Sequence, residues 1–243
     1  MFDLKVKNAI RELRFDKKGL TYLIFGLRGV GKTTFSIAIF LELLKNGFKP
    51  VLDLILFPRN VRILSKFIQF DKTNRNLNKF LFLTQYDEYY KVRLRRLRFM
   101  TEQIVSRDKK ITHIIIDDFF IPEYYYELLN YGKAFKYLSY LLTYLTILKK
   151  FGVTILLNVR EDINNLLPIL SKTLIAHSDF LIRLRKSRRI REIFAITLNS
   201  NIIDNLMIQY DPKEFFISGI KAIKKYILFI RENKVALIQP REG

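Results

Sequence analysis

The sequence predicts an α/β domain with a mainly parallel sheet flanked by helices and with antiparallel strands near its C-terminal end. Short apolar runs alternate with longer helical segments over most of the chain, which is typical of a parallel sheet. A glycine-rich turn joins the first predicted strand to a helix, and from Phe180 onward one strand follows another. The length of 243 residues, 49% of them hydrophobic, fits one domain with a sizeable core.

The predicted elements follow one another without an evident linker or repeat. They are a short helix around Val6–Phe15, strand Thr21–Phe25, helix Thr33–Asn46 stopped by Gly47, strand Pro50–Phe57, helix Val61–Gln69, strand Phe80–Leu83, helix Glu88–Ser106, strand Ile111–Ile116, helix Tyr131–Phe151 stopped by Gly152, and strands Val153–Val159, Phe180–Arg185, Ile190–Leu198, Glu214–Ile217 and Tyr226–Gln239. We expect a single domain over residues 1–243. Its parts are a short helical segment (1–19), a core (20–220) and a C-terminal β-hairpin (221–243).

The glycine-rich turn has the full P-loop pattern G-x-x-x-x-G-K-[ST], from Gly26 to Thr33, between a strand and a helix. Glycines let the backbone wrap around a phosphate chain, and the loop N–H groups and helix N-terminus face the anion. Lys32 is expected to contact the β- and γ-phosphates of ATP, and Thr33 to hold Mg²⁺. The predicted nucleotide contacts of this segment are Gly26, Arg28, Gly29, Val30, Gly31, Lys32, Thr33 and Thr34.

A second pattern supports the first. The apolar strand 111–116 ends at Asp117 and Asp118, which is the form of a Walker B element. Because parallel strands present their carboxyl ends at one edge of the sheet, Asp117 is expected beside the P-loop, where it would bind Mg²⁺. Lys32, Asp117 and Asp118 are therefore the candidate catalytic residues. His113 is predicted to be a packed strand residue, since two histidines and no cysteine disfavour a zinc site.

The net charge of +20 predicts a polyanionic partner, above all nucleic acid. The alternative is that the positive charge serves solubility. This interpretation is weaker, because the acidic residues do not balance the basic ones. No apolar run has the length of a membrane span, no signal-peptide core follows Met1, and no basic amphipathic anchor stands out. We therefore expect a cytoplasmic protein without a membrane partner.

Beyond the P-loop and Asp117, several segments carry a resemblance to a known family. They are Pro58-Arg59 after the second strand, the run Leu148-Lys149-Lys150-Phe151-Gly152-Val153, Asn158 late in the next strand, the basic run from Ser178-Asp179 to Lys186, and Phe216-Ile217-Ser218-Gly219-Ile220. In this order the chain resembles the RecA/RadA recombinase superfamily over about residues 20–220. It is most similar in plan to the short archaeal RadA paralogues of the RadB-like kind.

The resemblance implies a RecA-type ATPase core, a role in DNA recombination or repair, and Asn158 as a polar nucleotide sensor. In such recombinases two loops bind DNA, and the corresponding segments here are Ile121–Lys136 and Arg160–Lys172. Together with the basic turn after residue 182, they give the candidate DNA contacts Lys133, Lys136, Arg160, Arg183, Arg185, Lys186, Arg188 and Arg189. The implied protein partners are a RadA-type recombinase or further copies of the same chain.

One departure from the family pattern bears on hydrolysis. The family's water-activating glutamate corresponds to Ile55, with Asp53 nearby, and Asp118 could orient water instead. Slow or absent hydrolysis is therefore expected, as in a weak DNA-dependent ATPase. Two alternatives stay open: an AAA-type helicase loader or replication initiator, and a non-catalytic nucleotide-gated scaffold for a recombinase.

The helix before the Walker B strand is strongly basic. Its bases interleave with apolar residues, so the apolar members are predicted to form a core stripe and the bases a solvated face. A solvated face and a DNA contact are both compatible with this pattern. The bases are Lys91, Arg93, Arg95, Arg96 and Arg98.

Overall fold

The computed structural model describes residues 15, 17–55, 81–84, 89–106, 110–120, 131–162, 168, 171–187, 190–197, 205–210 and 227–231. Their elements, in chain order, are β1 (Thr21–Gly26), α1 (Lys32–Lys45), β2 (Pro50–Ile55), β3 (Leu81–Thr84), α2 (Tyr89–Val105), β4 (His113–Ile116), α3 (Tyr131–Lys150), β5 (Thr154–Arg160), α4 (Ser171–Ala176), β6 (Phe180–Ser187), β7 (Ile190–Thr197), β8 (Asn205–Tyr210) and β9 (Ile227–Arg231).

The described strands form one sheet in the order β3-β2-β4-β5-β1-β6-β7-β8-β9. Every pairing from β3 to β6 is parallel, and the pairings from β6 to β9 are antiparallel. The predicted mainly parallel sheet with antiparallel strands at its end is therefore confirmed. The parallel strands β1, β2 and β4 are buried along their whole length, as expected for strands covered by helices on both faces.

Helices α2 and α3 pack on one face of the sheet. Their apolar side chains form a single buried cluster with alternate strand residues, such as Phe25, Ile55, Ile116 and Leu157. Helix α1 contributes no residue to that cluster although it contacts β1, β2 and β5, so it covers the opposite face. The Tyr22 ring on that face stacks on Phe180, with ring centroids 4.7 Å apart.

Both predicted glycine stops are confirmed. After α1, the N–H of Phe48 donates to the Leu43 carbonyl (3.0 Å) and that of Gly47 to Leu44 (3.1 Å). The N–H groups of Val153 and Gly152 bond Leu148 and Lys149 in the same way after α3. This pattern satisfies the last helix carbonyls and turns the chain directly into the next strand.

The residues Ser178-Asp179 fix β6 beside β1 at the end of the sheet opposite the P-loop. The Asp179 carboxylate accepts from the Thr21 N–H (2.7 Å) and from Lys149 Nζ (2.6 Å), and its own N–H donates to the Thr21 carbonyl (2.8 Å). His113 is a packed strand residue, as predicted: it is 2% exposed and its Nε2 bonds the Phe15 carbonyl at 2.6 Å.

Some predicted elements differ from the observed ones. Strand β8 was missed, because its apolar and polar residues do not alternate clearly. Helix α4 was not predicted, and only its first two residues fall within the predicted loop Arg160–Lys172. The predicted helix Val61–Gln69, the strand Glu214–Ile217, the turn of the C-terminal hairpin and most of the N-terminal helix lie outside the described residues.

Candidate nucleotide site at the carboxyl edge of the sheet

The P-loop joins β1 to α1, and two of its glycines show why a side chain is excluded there. Gly26 has φ of +155°, and a Cβ there would lie 2.3 Å from the Leu184 carbonyl oxygen of the neighbouring strand. Gly31 begins α1 with φ of +104°, a left-handed conformation that L side chains rarely adopt. Leu27, Arg28 and Gly29 are exposed, whereas Val30 and Thr34 are buried. The loop therefore turns its middle residues outward above the N-terminus of α1.

The Lys32 side chain folds back over this loop. Its Nζ donates to the carbonyl oxygens of Gly26 (2.7 Å) and Leu27 (3.1 Å), and the residue is 8% exposed. Burial lowers the pKa of Lys32, while the negative charges of Asp118 and Asp117 oppose that change. The ammonium group thus lies within the field of both Walker B carboxylates.

Three polar side chains from different elements meet beside the loop. Thr33 Oγ1 donates to Asp117 Oδ2 at 2.8 Å, and Asn158 Nδ2 donates to Asp117 Oδ1 at 2.6 Å. The same Asn158 amide bonds Ser36 Oγ of α1 at 2.8 Å. The order β4-β5-β1 explains this convergence, because Asn158 of β5 stands opposite Ile24 of β1 between the two motifs.

The two aspartates have different environments. Burial, followed by the neighbouring charge of Asp118, raises the pKa of Asp117 to about 7, against the hydrogen bonds from Asn158 and Thr33. Asp118 is partly exposed and has a φ of +45°, a left-handed conformation that is uncommon outside glycine. The chain therefore makes a sharp turn directly after Asp117.

A fully buried arginine of α2 holds that turn. Arg93 is 0% exposed, and its guanidinium donates to the main-chain oxygens of Asp117 (2.9 Å), Asp118 (2.8 Å) and Phe119 (3.4 Å). Its Nε also pairs with the carboxylate of Asp53 at 2.9 Å. The prediction of a solvated face is wrong for Arg93, because the carbonyls of the turn and the Asp53 carboxylate replace its hydration.

The carboxylate that strand β2 carries, that of Asp53, is paired with arginines of α2. Asp53 is 2% exposed and binds Arg93 and Arg96, and its main-chain oxygen accepts from the Asp117 N–H at 3.0 Å. Ile55 is fully buried in the apolar cluster. Asp53 therefore supports the Walker B turn, while the neighbouring Asp118 is partly exposed.

The candidate DNA contacts are distributed over several elements. Arg160 is the last residue of β5, paired with Gly26 in the register, and its charge contributes to lowering the Lys32 pKa. Arg183 is bound by the buried Glu161 through two hydrogen bonds. Arg185, Lys133 and Lys136 are exposed. The Lys186 backbone belongs to β6, while Arg188 and Arg189 lie outside the described residues.

Two features of this site were missed in the sequence. Arg93 lies four and seven residues before the buried Leu97 and Met100, so its place on the core stripe could have been read from helical spacing. The Glu161–Arg183 pair joins the residue that follows β5 to β6, on the other side of β1, and nothing in the local sequence indicated it.

Comparison with known proteins supports the fold. No protein-family profile matches the chain, and no curated protein sequence matches it. Among solved structures, a KaiC-like protein from the hyperthermophilic archaeon Pyrococcus horikoshii is similar, with a TM-score of 0.56 and 16% sequence identity. The match covers 87% of this chain and 90% of that one.

This likeness confirms the predicted fold class, an α/β core with a mainly parallel sheet flanked by helices. At 16% identity it shows the fold alone and does not single out a RadB-like paralogue. In the helices that the structure describes, no segment is long and apolar enough to cross a membrane.

Proposed function

We propose that the protein binds Mg-ATP at the P-loop edge and acts on DNA as a RecA-type accessory protein in recombination or repair, in the manner of a RadB-like paralogue. The observation that carries the nucleotide part is the convergence of Thr33, Asp117 and Asn158 beside Lys32. A helix N-terminus, a flexible ammonium and a hydroxyl–carboxylate pair are the groups that phosphates and their magnesium ion require.

The residues present fit this cofactor. Thr33 and Asp117 are oxygen donors already within hydrogen-bond distance, which suits a small hard cation. The carbonyl contacts of Lys32 are ones that a phosphate oxygen can replace. Asn158 Oδ1 is buried without a hydrogen-bond partner among the described residues, so the site still has an unused polar atom. Magnesium would neutralise charge on the phosphates, and the chain would position them.

Slow or absent hydrolysis is part of the proposal. Ile55 occupies the position where the resembled family has a water-activating glutamate, and Asp53 is engaged by two arginines. Asp118 remains the candidate for orienting water, since it is partly exposed and its charge acts on Lys32. The protein would act mainly by binding nucleotide, in the cytoplasm, with a recombinase or another copy of the chain as partner.

The DNA part rests on charge. The net charge of +20 supplies a long-range field for a polyanion, and Arg185, Lys133 and Lys136 present exposed bases. Lys186, Arg188 and Arg189 add further charge near Arg185 in the sequence. Arg183, which is held by Glu161, is the weakest member of the proposed contact set.

The experiment is steady-state ATP hydrolysis with Mg²⁺, without DNA and with single- or double-stranded DNA, alongside ATP binding in the same samples. Lys32→Ala is expected to weaken ATP binding at least about tenfold, because a charge-assisted contact is worth about 1.5–3 kcal/mol. It should retain most non-specific DNA binding. The control is Lys110→Ala, which removes an equal charge from an exposed position.

Turnover that rises with DNA supports the accessory ATPase and directs attention to Asp118. ATP binding with neither turnover nor any change in DNA affinity favours the second candidate, a nucleotide-gated scaffold, for which the engagement of the Asp53 carboxylate by Arg93 is the specific observation. Absence of ATP binding by the wild-type protein contradicts the proposal.

A further inference from the structure

Helix α2 has two sides with different partners. Its inner side carries Arg93, which holds the Walker B turn. Another side has a groove of about 260 Å³, whose described lining residues are Val92, Arg95, Arg96 and Phe99. Any ligand in that groove therefore contacts the same helix whose Arg93 binds the carbonyls of Asp117 and Asp118.

Arg96 connects the two sides. Its Nη1 lies 3.3 Å from Asp53 Oδ1, while Arg93 Nε lies 2.9 Å from Oδ2 of the same carboxylate. The Arg96 side chain is 23% exposed, so it reaches solvent at the groove and the buried Asp53 at once. An anion in the groove would compete with Asp53 for Arg96, and any change at Asp53 acts directly on Arg93.

The chemistry of the groove favours a nucleic-acid strand. Two guanidinium groups, a type that binds phosphate through paired hydrogen bonds, line the groove together with the Phe99 ring, which is 50% exposed. An exposed ring beside arginines can stack on an unpaired base, an interaction worth about 1–3 kcal/mol. Bases in a duplex are stacked on one another and cannot make this contact. The high positive charge of the chain favours the same class of partner.

We propose that the α2 groove of Val92, Arg95, Arg96 and Phe99 binds single-stranded nucleic acid, and that Arg96 couples this binding to the nucleotide site through Asp53 and Arg93. The coupling half rests on the proposed function, because it requires ATP at the P-loop. Coupling between two sites is reciprocal, so it is measurable as a change of strand affinity on adding nucleotide.

The test measures the affinity of a fluorescent oligo-dT strand by anisotropy, with and without Mg-ATP, and ATP binding in parallel. Three variants remove one charge each from the same helix: Arg95→Gln, Arg96→Gln and Arg98→Gln. Arg98 is the matched control, because it is exposed and pairs with Glu102 and does not line the groove. Comparison with Arg98→Gln corrects for the effect of removing one positive charge from the surface of the protein.

The expected result has two parts. Arg95→Gln weakens strand binding more than Arg98→Gln does and lowers the salt slope by about one. Mg-ATP changes strand affinity roughly fivefold or more in the wild type and in Arg98→Gln, and leaves it unchanged in Arg96→Gln. That variant keeps Arg93, and its ATP binding, measured in parallel, should equal that of the wild type, which distinguishes loss of coupling from loss of folding.

Each part can be overturned separately. Equal affinities for Arg95→Gln and Arg98→Gln refute the groove as the strand site, whether or not ATP binds. If coupling persists in Arg96→Gln, or is absent from a wild-type protein that binds ATP, the proposed coupling through Arg96, Asp53 and Arg93 is refuted. Poly-glutamate of matched charge is added as a competitor of the oligo-dT strand. If it competes as well as unlabelled strand does, the groove binds an acidic protein segment and the nucleic-acid assignment is overturned. If the wild-type protein binds no ATP, the proposed function is refuted and the proposed coupling with it.

Discussion

Replacing Arg93 with methionine tests whether the buried arginine supports the Walker B turn. Methionine has a similar length and suits the apolar cluster around it, but donates no hydrogen bonds. The change leaves the 2%-exposed Asp53 without its nearer partner and removes the donor from three consecutive carbonyls. Removing one member of a buried ion pair lowers the free energy of unfolding by about 3–5 kcal/mol.

Loss of the hydrogen bonds to the carbonyls of the Walker B turn adds only part of its full cost, because the turn can move toward water at the partly exposed Asp118. We therefore expect the free energy of unfolding to fall by at least about 3 kcal/mol. That is a large fraction of the roughly 5–15 kcal/mol that stabilises a typical domain. Urea unfolding followed by circular dichroism measures it.

The double variant Arg93→Met with Asp53→Leu provides the matched comparison. It removes both buried charges, so it should be more stable than Arg93→Met alone. Arg98→Met, on the exposed side of the same helix, should leave the unfolding midpoint unchanged. A loss below about 1 kcal/mol in Arg93→Met, or a double variant no more stable than the single one, would refute the reasoning.

Two further predictions concern the same edge of the sheet. Gly26→Ala should destabilise the protein by about 2 kcal/mol or more in urea unfolding, because its Cβ would meet the Leu184 carbonyl at 2.3 Å; an unchanged midpoint would contradict the close packing of β1 on β6. The raised pKa of Asp117 means that the folded protein loses stability as pH rises from about 4 through about 7, because the buried carboxyl group must ionise. Asp117→Asn removes this ionisation, so it should stabilise the metal-free protein at pH 8 by on the order of 1–4 kcal/mol. Thermal unfolding of both forms at pH 4.5 and pH 8 checks this: the gain should shrink at the lower pH, and a gain independent of pH would contradict it.

The local patterns of the sequence were sufficient for the fold class. Apolar runs such as Ile114–Ile116 can only be buried strands or helix segments, and a short run that ends at two aspartates favours a strand. Glycine at 47 and 152 marks helix ends through backbone conformation, which is a local property and needs no knowledge of the fold. The P-loop was recognisable for the same reason.

The partners of charged side chains depended on the tertiary structure. The basic residues of α2 look alike in the sequence, yet Arg93 is buried against a turn 24 or more residues away while Arg98 stays exposed. Arg183 was predicted to contact DNA, and its described partner is Glu161. Whether a charge meets solvent, a carboxylate or a carbonyl depends on which elements become neighbours, and helical spacing alone does not contain that information.

The sequence by itself determined the α/β class, the P-loop, the Walker B strand and the helix ends, because each follows from contacts within a few residues. The tertiary structure decided which groups share the nucleotide edge. The strand order β4-β5-β1 brings Asn158 between Asp117 and α1, and helix packing brings Arg93 under the Walker B turn. Those contacts join residues far apart in the chain, so they exist only once the sheet has assembled.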